Sequence, residues 1–210
     1  MIRLIFQNIG LTLLFCLSVF SQPMIEVFTG INYPVIVNQD IRYNYLEKFW
    51  KPSLGIGFRS DIQLTESINL SPSVSYNHYL YNGYYHEGAQ IEEVFVASSG
   101  ESSDVLRILA DLRLIDRSEQ FLNPYIEIGV GYVYENIGSI HGRMEYLGQL
   151  EYQTDLKSYS KNYFTYTVSA GGLISLSSYF RLDLSAKYYS NIKDRAYLLL
   201  NLGIAYKIFN

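Results

Sequence analysis

The sequence is almost free of cysteine, with Cys16 as the only one in 210 residues. Cys16 lies in a short apolar segment, residues 11–20, and Arg3 is the only charge that precedes it. This segment is too short to cross a bilayer as a helix, so an uncleaved anchor is the weaker alternative to a signal peptide. We predict a cleaved signal peptide at residues 1–21, with cleavage after Ser21 or Gln22. The mature chain, residues 22–210, then contains no cysteine and no disulfide framework.

Positive charge is also scarce. The chain has 16 Lys and Arg against 20 Asp and Glu, a net charge of −4, and no basic cluster. This composition predicts no nucleic-acid partner. A linker rich in proline, serine or glycine is missing as well, which favours one domain after the leader.

Long apolar runs are missing from the mature chain, although 49% of all residues are hydrophobic. Apolar and polar residues alternate instead: in residues 54–65 the even positions are mostly apolar and the odd positions are small or charged. Successive side chains of a strand point to opposite faces, so this segment is predicted to be a strand with one apolar face. Leu109 and Leu199 break the pattern in later segments.

Eight long segments of this kind follow the leader. The predicted strands are 24–34, 53–65, 68–81, 104–115, 124–135, 162–174, 179–189 and 196–209. Long connections at 35–52, 82–103 and 136–161 alternate with short ones, and partial alternation at 91–96 and 144–152 suggests strands that continue beyond a bilayer. The asymmetry is typical of an outer-membrane barrel. The predicted fold is all-β, an eight-stranded antiparallel up-and-down transmembrane β-barrel with both termini in the periplasm.

Alternation alone does not say which face points inward, because a soluble lipocalin-like barrel would enclose its apolar face. The polar face, however, carries charges of both signs, which can pair inside a barrel whose interior is just wide enough for side chains. The predicted lumen charge network is Arg59, Asp61, Arg107, Asp111, Arg113, Glu127, Glu135, Arg181, Asp183 and Lys187. Truncation of Arg107 or Arg181 is expected to strand a buried carboxylate and to destabilise the barrel.

Aromatic residues cluster near the ends of the predicted strands, while the middles carry Leu, Ile, Val and Ala. Amphipathic rings prefer the headgroup zone, so two belts around an aliphatic band favour an apolar face in lipid. The predicted belt on the long-loop side is Tyr33, Tyr76, Tyr79, Tyr81, Tyr132, Tyr134, Tyr163, Phe164, Tyr166, Tyr188 and Tyr197. The predicted belt on the short-turn side is Phe121, Tyr125, Tyr179, Phe180, Tyr206 and Phe209.

The end of the chain carries a short motif of polar, glycine, aromatic and hydrophobic positions. Asn201, Gly203, Tyr206 and Ile208 fill it in order, and Phe209 adds an aromatic side chain. The motif resembles the assembly signal of outer-membrane barrels. With the strand pattern over residues 24–209, the chain resembles the small eight-stranded barrels of the OmpA transmembrane domain, OmpX and OmpW kind. The resemblance implies that the motif docks on the barrel-assembly machinery.

No catalytic, cofactor or metal site is predicted. Some barrels of this class modify lipid A, and their deacylase type resembles a His-x-Ser pair, which none of His78, His86 and His141 forms. His78 lies on the apolar register near the outer rim, where an interfacial polar side chain is the simpler interpretation. The acidic residues near His86 have no spacing that fixes them on one face, which disfavours a metal site.

The leading hypothesis is a non-enzymatic integral outer-membrane barrel with a plugged polar lumen and a structural or surface-interaction role. Its expected partners are outer-membrane lipid, the assembly machinery and a possible extracellular ligand on loops 35–52, 82–103 and 136–161. The alternatives are a narrow channel for small solutes, a lipid A-modifying enzyme and a secreted lipocalin-like binder. A fold by itself does not choose among them.

Overall fold

The computed structural model describes residues 24–35, 51–81, 86–87, 94–118, 121–146, 149–191 and 196–208. Eight strands close a barrel and four form a separate sheet. The barrel strands are β1 (Met24–Val35), β2 (Ser53–Gln63), β3 (Ile68–Tyr79), β6 (Ser103–Ile115), β7 (Leu122–Ile137), β10 (Tyr159–Ser175), β11 (Phe180–Ser190) and β12 (Ala196–Lys207). The second sheet consists of β4 (His86–Glu87), β5 (Val94–Gly100), β8 (Ile140–Tyr146) and β9 (Gln149–Leu156). Within these ranges no helix is both long and apolar enough to cross a membrane.

Each barrel strand pairs antiparallel with its neighbours, and β1 pairs with β12 to close the cylinder. The predicted all-β, eight-stranded up-and-down barrel is thus confirmed. The strands are staggered around the barrel. From Gly30 on β1, the chain of directly paired residues reaches Lys161 on β10 through β2, and it reaches Gly171 on β10 through β12. These two end points are ten residues apart. With eight strands, this stagger corresponds to a strand tilt of about 40°.

The boundaries of the barrel strands differ from the predicted ones by at most three residues. β10 begins at Tyr159 rather than at residue 162, and β7 extends two residues further at each end. The predicted signal peptide at residues 1–21 lies outside the described residues and stays a prediction.

The apolar face of the strands points outward and the polar face points inward. In β2, Leu54, Ile56 and Phe58 are 72%, 53% and 53% exposed, whereas Arg59 is 3% exposed. Ile62 is an exception, because it lies on the outward register but is buried. The interior is the lumen that the sequence pattern predicts to hold charge.

The second sheet continues four barrel strands past the long-loop end. β5 precedes β6 with a break at residues 101–102, and β8 follows β7 after a break at 138–139. The register is the same on both sides of these breaks, since Asp104 pairs with Asn136 and Gly100 with Ile140. In the same way β9 continues β10, and β4 continues β3. The alternation at 91–96 and 144–152 corresponds to β5, β8 and β9, except where it falls outside the described residues.

Hydrogen bonds at the break hold the sheet to the barrel. The Glu101 N–H donates to the Ser139 carbonyl at 2.9 Å, and the Gly138 N–H donates to Ser103 Oγ at 3.0 Å. The Ser139 N–H donates to Glu101 Oε2 at 3.1 Å and holds the pKa of that carboxyl below its usual value. These bonds make the sheet a continuation of the barrel wall.

Apolar side chains fill both ends of the lumen. The cluster at the short-turn end is Ile115, Tyr125 and Leu173. The cluster at the long-loop end is Tyr79, Val105, Leu109, Val133, Ile137, Tyr189, Tyr197 and Leu199. Leu109 and Leu199 therefore break the sequence pattern because they are inward-facing members of this second cluster.

Candidate functional site

The middle of the lumen contains eight buried charged side chains, here called the central ion network. Five strands contribute them, from inward positions of the alternating pattern. Each is at most 4% exposed. The members are Glu26, Arg59, Asp61, Asp111, Arg113, Glu127, Asp183 and Lys187.

Arg113 forms ion pairs with three carboxylates. Its Nη1, Nε and Nη2 atoms lie 2.8 Å from Asp61 Oδ2, 3.0 Å from Glu127 Oε2 and 3.2 Å from Asp183 Oδ2. Its guanidinium also lies over the ring of Tyr125, 4.1 Å from the ring centroid. One cation thus connects carboxylates from three other strands across the barrel.

Two further cations complete the network. Arg59 Nη1 lies 3.1 Å from Asp183 Oδ2 and 3.2 Å from Glu26 Oε2, and its Nη2 lies 4.0 Å from Glu127 Oε1. Lys187 Nζ lies 2.9 Å from Asp111 Oδ2 and also bonds Glu127 Oε1. Since buried charges are tolerated only when they are paired and hydrogen-bonded, the three cations and their carboxylates depend on one another.

Hydroxyl groups supply additional donors, because the network has more carboxylates than cations. Tyr125 donates to Asp183 Oδ1 at 2.7 Å, and Thr167 donates to Asp111 Oδ1 at 2.5 Å. Ser71 donates to Asp61 at 2.6 Å and Ser169 to Glu127 at 3.2 Å. The lumen is therefore filled by side chains that hold each other in place.

Two glycines leave the space that the carboxylates occupy. A Cβ on Gly129 would lie 2.0 Å from Asp111 Oδ1, and a Cβ on Gly203 would lie 2.2 Å from Glu26 Oε1. Alternating glycine and charge in the sequence thus reflects close packing between neighbouring strands on the lumen side of the barrel wall.

Arg107 lies outside the central ion network, and the expectation that it neutralises a carboxylate is wrong. Its Nη1 donates to Asn77 Oδ1 at 2.5 Å, and its Nη2 lies 3.5 Å from the Tyr79 hydroxyl. Its guanidinium is 5.0 Å from the ring centroids of both Tyr189 and Tyr197. Arg107 is fully buried, so aromatic faces and an amide take the place of a counter-ion.

The remaining predicted lumen residues lie apart. Glu135 is buried near the long-loop end, where Tyr163 and Tyr197 donate to its Oε1 at 2.5 Å and 2.6 Å. Arg181 is only half-buried at the start of β11, with no ion pair to a carboxylate among the described residues. The expectation that truncation of Arg181 strands a buried carboxylate is therefore also wrong, because Arg181 lies at the rim of the barrel.

Four tyrosines assigned to the outer belts lie on inward positions. Tyr79, Tyr125 and Tyr197 are buried, with exposures of 3%, 4% and 7%. Tyr163 is partly buried against the apolar cluster at the long-loop end. Their hydroxyls bond lumen groups, as described above for Arg107, Asp183 and Glu135. The other belt residues that the structure describes are exposed, apart from the partly buried Tyr81 and Tyr188. Phe209 lies outside the described residues.

Sequence reasoning missed Glu26, which is 1% exposed and bound to Arg59. The signal was present, because Glu26 alternates with the outward Ile25 and Val27, which are 37% and 45% exposed. Further along β1 the alternation is less strict, because the apolar Phe28 is on the inward set and the polar Thr29 is on the outward set.

Histidine contributes no metal centre in the described part of the chain, where no group of three or more metal-binding side chains occurs. His78 Nδ1 lies 2.7 Å from Asp104 Oδ1 on the outer surface, and His141 Nδ1 lies 2.8 Å from Asp155 Oδ1 in the second sheet. His86 begins β4, and its side chain is outside what the structure describes.

The predicted assembly motif lies on the last strand. Asn201 and Gly203 are on inward positions of β12, and Tyr206 is on an outward position with 44% exposure. Ile208 follows the strand and is partly buried. Binding of this motif to the assembly machinery stays a prediction.

No protein-family model and no curated protein match the sequence. The structure is similar to that of Ail, the attachment invasion locus protein of Yersinia pestis: the TM-score is 0.52 and the identity 15%, over 90% of this chain and 100% of Ail. It is also similar to that of Neisserial surface protein A, with a TM-score of 0.54 and 12% identity over 89% and 97% of the two chains. At these identities the likeness shows the fold alone. The chain has the fold of the small eight-stranded outer-membrane β-barrels.

Proposed function

We propose that this protein is a non-enzymatic integral outer-membrane barrel with a plugged lumen that acts at the cell surface through its long-loop side. The observation that carries the proposal is the division between its two faces. Ile126, Ile128 and Val130 are each more than half exposed, while the charges beside them point inward. In water, such a wide apolar surface would favour aggregation, whereas in a bilayer the same surface is stabilised by contact with lipid chains.

The aromatic residues that remain on the outer surface support a bilayer position. Tyr132 and Phe164 contact each other on the long-loop side, with ring centroids 5.8 Å apart. Phe180 and Tyr206 contact each other on the short-turn side, with ring centroids 5.2 Å apart. Aromatic residues at both edges of an aliphatic band, here one pair at each edge, are typical of a barrel that spans a membrane.

The filled lumen favours a plug over the alternative of a channel. Reconstituted in planar bilayers, the protein is expected to give no stable, reproducible conductance, because the central ion network and the two apolar clusters occupy the pore. A general porin reconstituted at the same density serves as the positive control. Reproducible single-channel steps from this protein, absent from empty bilayers, would contradict the plugged lumen.

The second sheet is the feature that favours a role at the cell surface. Its strands extend β3, β6, β7 and β10 beyond the long-loop end, so a partner could pair with β9, the edge strand of the sheet among the described residues, or lie on the sheet. The ligand would bind loops 82–103 and 136–161, while most of loop 35–52 lies outside the described residues. Ail is an attachment invasion locus protein by name, which supports a surface role of this general kind.

An epitope inserted after Tyr146 is expected to be detected by antibody on intact cells, because the proposed orientation places β8 and β9 outside the cell. The matched control is the same epitope after Ser118, in the short turn between β6 and β7, which is expected to be detected only after the outer membrane is permeabilised. The opposite pattern would place the long loops in the periplasm and would overturn the proposed surface role.

A further inference from the structure

The last outward-facing row of four adjacent barrel strands is polar. His78 on β3 pairs with Asp104 on β6, Asp104 pairs with Asn136 on β7, and Asn136 pairs with Ser160 on β10. Because neighbouring strands are about 4.8 Å apart, the row is about 14 Å long. From His78 to Ser160 the row moves toward the long-loop end of the barrel, because the strands are tilted.

Hydrogen bonds organise this polar row before any ligand arrives. Tyr76 donates to Asp104 Oδ1 at 2.5 Å, and His78 Nδ1 lies 2.7 Å from the same oxygen. Ser160 donates to Asn136 Oδ1 at 3.2 Å, and Tyr134 donates to Ser160 Oγ at 3.3 Å. Among the described residues nothing bonds Asp104 Oδ2, so this oxygen is available to accept from a ligand. The side chains of His78 and Asp104 are 44% and 36% exposed.

The polar row lies at a boundary of the molecule. Below it the outer surface is apolar, with Ile108 and Leu112 at 41% and 44% exposure. Directly above it the strands break at 101–102 and 138–139 and continue as the second sheet. If the apolar band lies in lipid, as the proposed function requires, the row stands at the level of the outer-leaflet headgroups.

The chemistry of the polar row suits a sugar better than a phosphate. A carboxylate, an imidazole, an amide and hydroxyls can each exchange hydrogen bonds with vicinal hydroxyl groups, and tyrosine offers a ring face. A phosphate would meet the Asp104 carboxylate, while the nearby cations Arg107 and Lys161 are on inward positions of their strands.

We propose that this polar row binds the sugar headgroup of an outer-leaflet glycolipid, whose acyl chains lie against the apolar surface below. The inference rests on the proposed function, because it needs the outward face to be in a bilayer. Asp104 and Tyr76 form the lower end of the site, and Asn136 and Ser160 form its upper end.

The test uses the full mature chain in nanodiscs of phosphatidylcholine that contain equal amounts of digalactosyl diacylglycerol and phosphatidylglycerol. Native mass spectrometry measures which lipid stays bound to the barrel. The galactolipid is expected to be retained about tenfold over phosphatidylglycerol, and Asp104→Asn is expected to reduce this ratio to about one. The matched control is Asp116→Asn, one residue past the opposite end of β6, where the exposed carboxylate accepts from the Ser118 N–H at 2.9 Å. Asp116→Asn is expected to leave the ratio unchanged.

Several outcomes would overturn the inference. They are equal retention of the two lipids by the unmodified protein, equal effects of Asp104→Asn and Asp116→Asn, and full displacement by free digalactose. Tyr76→Phe, which removes one hydroxyl, replaces Asp104→Asn if that variant does not fold. Insertion into the nanodisc is scored separately by heat-modified gel mobility. A protein that does not insert contradicts the proposed function, whereas one that inserts without lipid preference contradicts this inference alone.

Discussion

Replacement of Arg113 by alanine is expected to lower the free energy of unfolding by about 3–5 kcal/mol. The change removes one cationic partner from each of three buried carboxylates, on Asp61, Glu127 and Asp183. Hydroxyl groups and the two remaining cations cannot compensate fully, because they are already engaged in the central ion network. The measurement is urea unfolding of the refolded protein in detergent, followed by heat-modified gel mobility.

The matched control for Arg113→Ala is Arg181→Ala. Both variants lose an arginine from an inward position, but Arg181 is half-buried at the rim and has no ion pair to a carboxylate in the described residues. Its replacement is expected to change the free energy of unfolding by less than about 1 kcal/mol. Equal losses from the two variants would mean that barrel filling, rather than charge pairing, determines the effect.

The fold was predictable from the sequence because the alternation in most strands is strict. In β6 every second residue from Val105 to Ile115 is buried, and the residues between them are partly or fully exposed. Asp111 and Arg113 fall on the buried set, so their placement in the lumen follows from the side-chain period of two. The partners of each charge do not follow from this period, because they lie on strands far apart in the chain.

The faces of the tyrosines were harder to predict. A tyrosine near a strand end can point to the headgroup zone or cap the lumen, since it combines an apolar ring with a hydrogen-bonding hydroxyl. Position along the strand places Tyr125 and Tyr197 in the outer belts, yet their registers match the buried Glu127 and Asn201. Register is therefore the better guide, and it also corrects the assignment of Tyr79.

The contacts of Arg107 illustrate a limit of charge counting. Its place on the same face of β6 as Asp111 and Arg113 predicts an ion pair, whereas two tyrosine rings and Asn77 surround the guanidinium in the structure. The rings come from β11 and β12, so no local pattern around Arg107 contains the information. Packing at the long-loop end, where Leu109 and Leu199 also point inward, sets the environment of this cation.

Replacement of Ile128 by arginine is expected to destabilise the barrel in lipid by about 2–4 kcal/mol. Ile128 is 57% exposed in the middle of β7, and its paired neighbours Leu112 and Val168 are apolar and exposed as well. A charge placed there would lie near the bilayer midplane, where no partner is available and its desolvation is costly. The measurement is urea unfolding of the protein inserted in phosphatidylcholine vesicles.

The matched control for Ile128→Arg is Leu122→Arg, six positions earlier at the short-turn end of β7. Leu122 is on the same outward set and is 43% exposed, so both variants replace an aliphatic side chain on the outer face. Depth in the bilayer is the main difference, and near the interface the same change is expected to cost about 0–1 kcal/mol. In a soluble barrel both exposed sites would tolerate arginine within about 0.5 kcal/mol, because water solvates the charge at either depth. A large cost at residue 128 alone would therefore separate a membrane barrel from a secreted binder, and small costs at both sites would refute the membrane assignment.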